Sequence, residues 1–522
     1  MIEDGRQVAA DRIETDVCVI GAGPAGLALA LELAGHGLSV CVLESGDRGI
    51  SRRGQQLAGG ENGDPHYYRL DSTRIRGFGG TSNHWRGDSG FRARELDAAD
   101  LAPRPSVGRI GWPFSRAELA GDYERAAELL RLGPDVTADR WAEATAGPLP
   151  TDPDLIETWR FRIGPLDSFT SRWDELDRLR DVRVLTSTTV LELHSDDHRV
   201  TEATATTGDG RTLEVHGRAF VLAMGGIDNA RLLLLSRRDR PAGLGNHHDR
   251  VGRYFMEHPH VRSGVLVPRD PTFARRMQVY DRHDVDGTEL VGMLAPSSAA
   301  LERVGALGSA WSVHMVPRAR LSAAGQLLSE VRDLASYRRP VPRTGARIAG
   351  LLRRPGQTAR AVRAALGDGP PEVGMLVGMT EQEPHPDSRV TLGGRRDRFG
   401  QPVARLDWRL TERDRAAVRA GQDILDRALR DAGLGHVEDR FGDVEPPPLI
   451  GGGFHHMGTT RMHDDERLGV VDADQRVHTM SNLYVTGASV FPTGGVANPT
   501  LTVVALAVRL ARHLRGSLRT AG

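Results

Sequence analysis

Apolar positions in this chain fall into short runs punctuated by glycine, widely spaced along the sequence. Asp16-Val-Cys-Val-Ile20 predicts a fully buried strand, because a run this short with β-branched residues and a glycine behind it suits a sheet core better than a helix. A helix-like run follows over 27–35, and a second strand over 39–43 ends in Glu44. The same strand, glycine, helix order recurs at 218–223, Met224-Gly225-Gly226 and 228–236. A strand-like run covers 182–191. Near the end, Asn482-Leu-Tyr-Val predicts a strand before Gly487-Ala488-Ser489, and 498–514 predicts a terminal helix. Such distant strands must return to one sheet, which predicts a fold of mixed α/β class, α+β overall, with one domain stitched from distant parts of the chain.

The turn after the first strand carries chemistry. In Gly21-Ala-Gly23-Pro-Ala-Gly26, Gly21 allows the tight turn, Gly23 lets backbone approach a pyrophosphate, and Gly26 permits close helix–strand packing. The free N–H groups and dipole of the helix start favour the phosphates. Glu44, downstream on the second strand, is placed to accept hydrogen bonds from an adenosine ribose. Strand, helix, strand and acid in this order predict a dinucleotide site.

Composition then removes alternatives. All 68 basic residues are arginine, so Schiff-base lysine chemistry, pyridoxal phosphate and a lysine-bearing phosphate loop are excluded. A net charge of −1 argues against a nucleic-acid binder. Two cysteines, Cys18 and Cys41, make neither a disulfide framework nor a cysteine zinc site, and no metal site is expected. Both lie in strand-like runs and read as small buried hydrophobes. Residues 1–15 lack the apolar core of a signal peptide, and 496–511 is too short and too interrupted to span a bilayer, which makes a soluble, cytoplasmic protein the expectation.

Five ordered motifs carry a resemblance. Beside the amino-terminal fingerprint stand Gly77-Phe-Gly79-Gly80-Thr81-Ser82-Asn83-His84-Trp85, the run from Gly243 through Val251 to His258-Pro259, Ser388-Arg-Val-Thr-Leu392, and almost everything from Phe454 to Leu510. Together they resemble the glucose-methanol-choline oxidoreductases, FAD enzymes that oxidise alcohols. The resemblance implies a Rossmann-like FAD domain over 1–100, 181–260 and 446–522. It implies a substrate or cap domain over 101–180 and 261–445, with an antiparallel sheet covering the flavin. The segment from Ser388 through the turn at Asp397-Arg-Phe-Gly400 is read as strands of that covering sheet.

Alcohol oxidation at a flavin needs a base for the hydroxyl proton and flavin N5 for the hydride. Histidine suits the base, because its ordinary pKa leaves it largely neutral at physiological pH. The family's active-site histidine, three residues before a Gly-Thr pair, matches His455, and its partner position matches Asn498 in Ala497-Asn498-Pro499-Thr500. This is the His/Asn pairing of pyranose-oxidase-like and cholesterol-oxidase-like members. His456 is the alternative base. The bland counterpart is a satisfied core histidine, with Asn498 merely capping the helix that starts at Pro499. The resemblance also implies cofactor contacts at Gly80, Thr81, Ser82, Asn83, His84, Val190, Ala223, Gly487, Ala488, Pro499 and Thr500. Val190 is implied near adenine and Thr500 near the pyrimidine end of the flavin. His84 matches the position that carries a covalent flavin in pyranose oxidases, whereas the run Thr81-Ser82-Asn83-His84-Trp85 is closer to bacterial dehydrogenase-type members that hold FAD non-covalently.

The expected activity is oxidation of a CH–OH group on a sugar-like or natural-product substrate. A lyase or isomerase on the same fold and a non-catalytic flavin-binding regulator are the alternatives. The implied partners are a small alcohol and an electron acceptor that is oxygen, a quinone or a redox protein. One stretch, 318–366, holds eleven arginines against two acids and reads as a helical insertion, either a solvated face or a docking surface for an anionic partner.

Overall fold

The computed structural model describes residues 1–520 except 66, 86–89, 106–107, 109, 168, 271, 322–354, 357–358, 360–361, 364–369, 444–447 and 449. The arginine-rich stretch 318–366 therefore lies for the most part outside the described residues.

The first apolar run forms the strand Arg12–Ile20, at the centre of an eight-stranded sheet. Val40–Leu43, Val182–Thr186 and Ile2–Asp4 follow it on one side, all parallel. On the other side Thr212–Leu222 is parallel, and it pairs with the short parallel strand Leu483–Val485. Val200–Thr207 and Thr188–Ser195 complete the sheet in antiparallel sense. Every strand of this sheet comes from 1–100, 181–260 or 446–522, so distant runs do meet in one layer. Strands such as Val17–Ile20 are wholly buried because helices cover the sheet, among them Pro24–Leu33 and Thr500–Thr520, which touch each other. Cys18 and Cys41 sit in register on neighbouring strands, both buried and free.

A second sheet of nine strands is antiparallel. Its main path runs Gly435–Glu438, His260–Pro268, Val373–Thr380, Ser309–Val316, Thr288–Pro296, Ile156–Gly164 and Phe91–Ala93. One face packs on the long helix Glu412–Asp431, which opens with a capping box between Thr411 and Asp414. Val418, Leu425 and Leu429 of that helix share a core with Leu266, Trp311 and Leu376 of the strands. The opposite face carries Phe161, Val291, Met293 and Met379 and looks toward the first sheet.

Two expectations are corrected. The run 182–191 is not one strand: Ser187 takes φ 53°, in the left-handed region, and the chain turns there between Val182–Thr186 and Thr188–Ser195. Arg389–Arg396 and Pro402–Asp407 do not belong to the covering sheet. They form a separate three-stranded sheet with Gly60–Asn62, because residues 60–62 offer Pro402–Asp407 a parallel edge. No described helix is long and apolar enough to cross a membrane.

Candidate active site

A cavity of about 910 Å³ opens between the two sheets. On one side it meets the carboxyl ends of the parallel strands at Ile20, Leu43 and Ala223, where ligands of open α/β sheets bind. Val291, Met293, Ser312 and Val377 of the antiparallel sheet form the other wall.

The glycine turn is shaped for a dinucleotide. Gly21 has φ 107°, a conformation that a side chain rarely adopts, and a Cβ at Gly26 would lie 2.0 Å from the Gly21 carbonyl oxygen. A Cβ at Gly23 would meet nothing closer than 4.0 Å, so its backbone is open on the cavity side where the helix Pro24–Leu33 begins. Glu44 is buried on the cavity wall, its carboxylate accepting from the Ala22 and Gly46 N–H groups at 3.0 and 2.8 Å. Burial raises its pKa, while those N–H groups and Arg76 oppose the rise. Gly80 packs against Gly23, where a Cβ would come within 2.9 Å of the Gly23 Cα. Arg74 and Arg76 border the same cavity and both pair with the buried Asp228, at 2.5 and 2.8 Å. Their charges hold the Asp228 carboxyl down at about 2 despite its burial. An open glycine cradle, a buried acid at the end of the next strand and a roomy cavity together fit FAD.

At the far end lies a histidine cluster. Phe454 adopts φ 65°, unusual for a bulky residue, and presents the next residue, His455, to the cavity. This loop is held by Glu257, a fully buried carboxylate that accepts from the N–H groups of Gly453 and His455 at 3.1 and 2.8 Å and from the Tyr67 hydroxyl at 2.5 Å. Burial lifts Glu257 to about 7. Glycine is required at 452 and 453, because a Cβ there would come within 2.7 Å of the Glu257 carboxyl and 2.8 Å of His260 Nε2.

His455 uses both ring nitrogens. Nδ1 lies 2.9 Å from Nδ1 of His258, and Nε2 lies 3.1 Å from the amide nitrogen of Asn498. Two neutral imidazoles facing through Nδ1 share one proton, so one donates and the other accepts. If His455 donates, its Nε2 keeps the lone pair that faces Asn498 and the cavity. His258 is fully buried, with Nε2 turned to the Gly494–Gly495 backbone, and burial lowers it to about 4. His455 is held well below the ordinary 6.5, first by burial and then by its neighbours His258, His260 and His456. It therefore stays neutral at physiological pH. The Asn498 Oδ1 is buried and has no hydrogen-bond partner among the described residues. The Asn498 side chain thus reaches His455 and does not cap the helix Thr500–Thr520.

The cavity wall brings together Gly21, Gly23, Glu44, Gly80, Thr81, Ser82, His84, Val190, Ala223, Gly487, Ala488, Asn498, Pro499, Thr500, His455 and His456. Two anticipated cofactor contacts stand off it. Gly26 packs the helix onto the turn, and Asn83 spends its amide on the Phe78 and Gly80 carbonyls at 3.0 and 2.9 Å. His456 faces Glu257 at 3.5 Å, and burial depresses it to about 3. His84 stacks on Phe454 with centroids 5.7 Å apart. Sequence reasoning missed Glu257, His258, Arg74 and Arg76, and of the opposite wall it anticipated the covering sheet but not Arg92, Met293 or Ser312, which line it. His258 and Glu257 had a signal, lying within the run Val251 to Pro259 that carried the resemblance; Arg92 and Ser312 of the opposite wall had none.

Comparison with known proteins agrees with this architecture. Residues 16–248 match the model of FAD dependent oxidoreductases and residues 384–507 match that of GMC oxidoreductases. The chain is 27% identical to paromamine 6'-oxidase of Streptomyces fradiae, over 99% of this chain and 94% of that one. A shorter match, 38% identical, covers 24% of the chain and 23% of a C-glycoside 3-oxidase of Arthrobacter globiformis. Among solved structures, pyridoxine 4-oxidase from Mesorbium loti shares the fold, with a TM-score of 0.58 at 17% identity over 96% of this chain and 99% of that one. With the dinucleotide cradle and the carboxy-terminal family segment on one cavity, the chain belongs to the glucose-methanol-choline oxidoreductases and is an FAD-dependent alcohol oxidoreductase.

Proposed function

We propose that the enzyme oxidises a secondary or primary CH–OH of a sugar-like or natural-product substrate, with His455 as the base and Asn498 as its hydrogen-bonding partner. The observation that carries this reading is the 3.1 Å pairing of His455 Nε2 with the Asn498 amide on the cofactor cavity wall, the other face of the imidazole being tied to His258. Relatives named for paromamine and C-glycoside oxidation support a sugar-like substrate.

A substrate hydroxyl lodged between the two side chains replaces their direct contact. It accepts from the Asn498 amide and donates to His455 Nε2, which takes its proton. The Nδ1 proton of His455 rests on His258, so the ring keeps one orientation and one tautomer through the step. Bound FAD supplies the acceptor for the hydride leaving the carbinol carbon. The Phe454 turn and the Glu257 clamp fix the loop, so the base is positioned before substrate arrives.

Within this reading, 1–100, 181–260 and 446–522 form the cofactor domain and 101–180 with 261–445 the cap, with Phe91–Ala93 lent from the first segment to the edge of the cap sheet. FAD is held without a covalent bond, and acid precipitation releases all of it; flavin left on the chain would place the link at His84. The activity itself is tested by anaerobic mixing with sugars, glycosides and sterols. One equivalent of carbonyl product per bleached flavin is expected. Product formation without flavin bleaching or acceptor consumption would instead mark a lyase or isomerase.

A further inference from the structure

The wall opposite the cofactor half is not uniformly apolar. Arg92, on the short strand Phe91–Ala93 beside Ile163, enters the cavity among Val291, Met293 and Ser312. Its Nη1 lies 3.2 Å from the Ser312 hydroxyl and 3.3 Å from the Met293 sulfur. Neither contact is anionic, and among the described residues its other N–H groups have no partner. Enclosure therefore opposes the Arg92 charge, and Arg282 adds like-charge repulsion. Arg282, at the rim, is already paired with Glu289 at 2.9 Å. His314 lines the same region and is pushed below 6.5 by burial, then by Arg92 and Arg262, with Asp281 opposing. Asp281 is exposed at the rim and forms no ion pair with Arg92.

A largely enclosed guanidinium with no counter-charge among the described residues is costly, and an incoming anion recovers that cost. Its planar fork of donors matches a carboxylate, phosphate or sulfate better than a hydroxyl. We propose that Arg92 anchors an anionic substituent of the substrate, so that the alcohol oxidised belongs to an acidic sugar or acidic natural product. This rests on the reading of the cavity as an alcohol-oxidising site and adds the substrate's charge to it.

The test uses the full-length, FAD-loaded enzyme and its Arg92→Met and Arg92→Lys variants. Each is titrated anaerobically with D-glucuronate, D-glucose 6-phosphate and D-glucose, while flavin absorbance reports both binding (a spectral shift) and reduction (bleaching). For the wild type, half-saturation by at least one acid is expected at a concentration at least about ten-fold lower than for glucose, the size that one charge-assisted hydrogen bond supplies. Arg92→Met should abolish that ratio and Arg92→Lys keep part of it. Glucose saturating as readily as both acids, no spectral response to either acid, or an unchanged preference in Arg92→Met would each overturn the proposal. An acid-selective shift without bleaching would uphold the anchor while contradicting alcohol oxidation of these sugars, so the two readings fail separately.

Discussion

His455 is kept neutral because burial and three neighbouring histidines disfavour its imidazolium form. Its pKa is lowered, so the neutral imidazole is fully available above its ordinary value and is lost only well below it. Rapid-reaction rates of flavin reduction, measured across pH, should therefore show no histidine step between about pH 6 and 8. The profile is read in wild type and in Glu257→Gln, because Glu257 itself titrates near 7. A midpoint near 6.5 in the variant would contradict the assignment. Glu257 gives a separate thermodynamic signature. Its folded pKa is raised above the ordinary 4.5, so its stabilising contribution is complete below that ordinary value and is lost as pH rises through about 7. The melting temperature of Glu257→Gln relative to wild type should thus rise between about pH 5 and 8. A difference that falls or stays flat would show that the buried carboxyl does not titrate as described.

The elements that position these residues divide into local and long-range ones. The strand Arg12–Ile20, the glycine turn and the strand ending before Glu44 were legible because each is specified by a few adjacent residues. A methyl group at residue 26 tests that local logic. Gly26→Ala would place Cβ against the Gly21 carbonyl and cost about 1–3 kcal/mol in calorimetric stability, with weaker FAD retention on gel filtration. Unchanged stability and flavin content would mean the turn tolerates displacement. The break at Ser187 was not legible, because a single residue entering the left-handed region leaves no mark in an apolar run. The separate sheet formed by Arg389–Arg396 and Pro402–Asp407 was missed for another reason. Its partner edge, Gly60–Asn62, lies more than three hundred residues away, and strand alternation does not say which edge a strand finds.

At the scale of the whole molecule, the site exists only where the two sheets face each other. The parallel sheet supplies the cradle, the segment 452–500 supplies His455 and Asn498, and the antiparallel sheet closes the cavity above them. The pairing of His455 with Asn498 was anticipated through the family resemblance, whereas that of Arg92 with Ser312 was not, because these two become neighbours only through folding. The absence of lysine acquires a location here: positive charge at the cavity comes from arginines, of which Arg74 and Arg76 share the single carboxylate of Asp228 while Arg92 has no acid partner among the described residues. The central claim is that His455 takes the substrate proton, and anaerobic stopped-flow reduction of FAD-loaded His455→Ala by an active alcohol tests it most directly. The account predicts full FAD content with reduction slowed by about a hundred-fold or more, as for loss of a general base, and His456→Ala close to wild type. Undiminished reduction in His455→Ala, or the loss falling on His456→Ala instead, would contradict it.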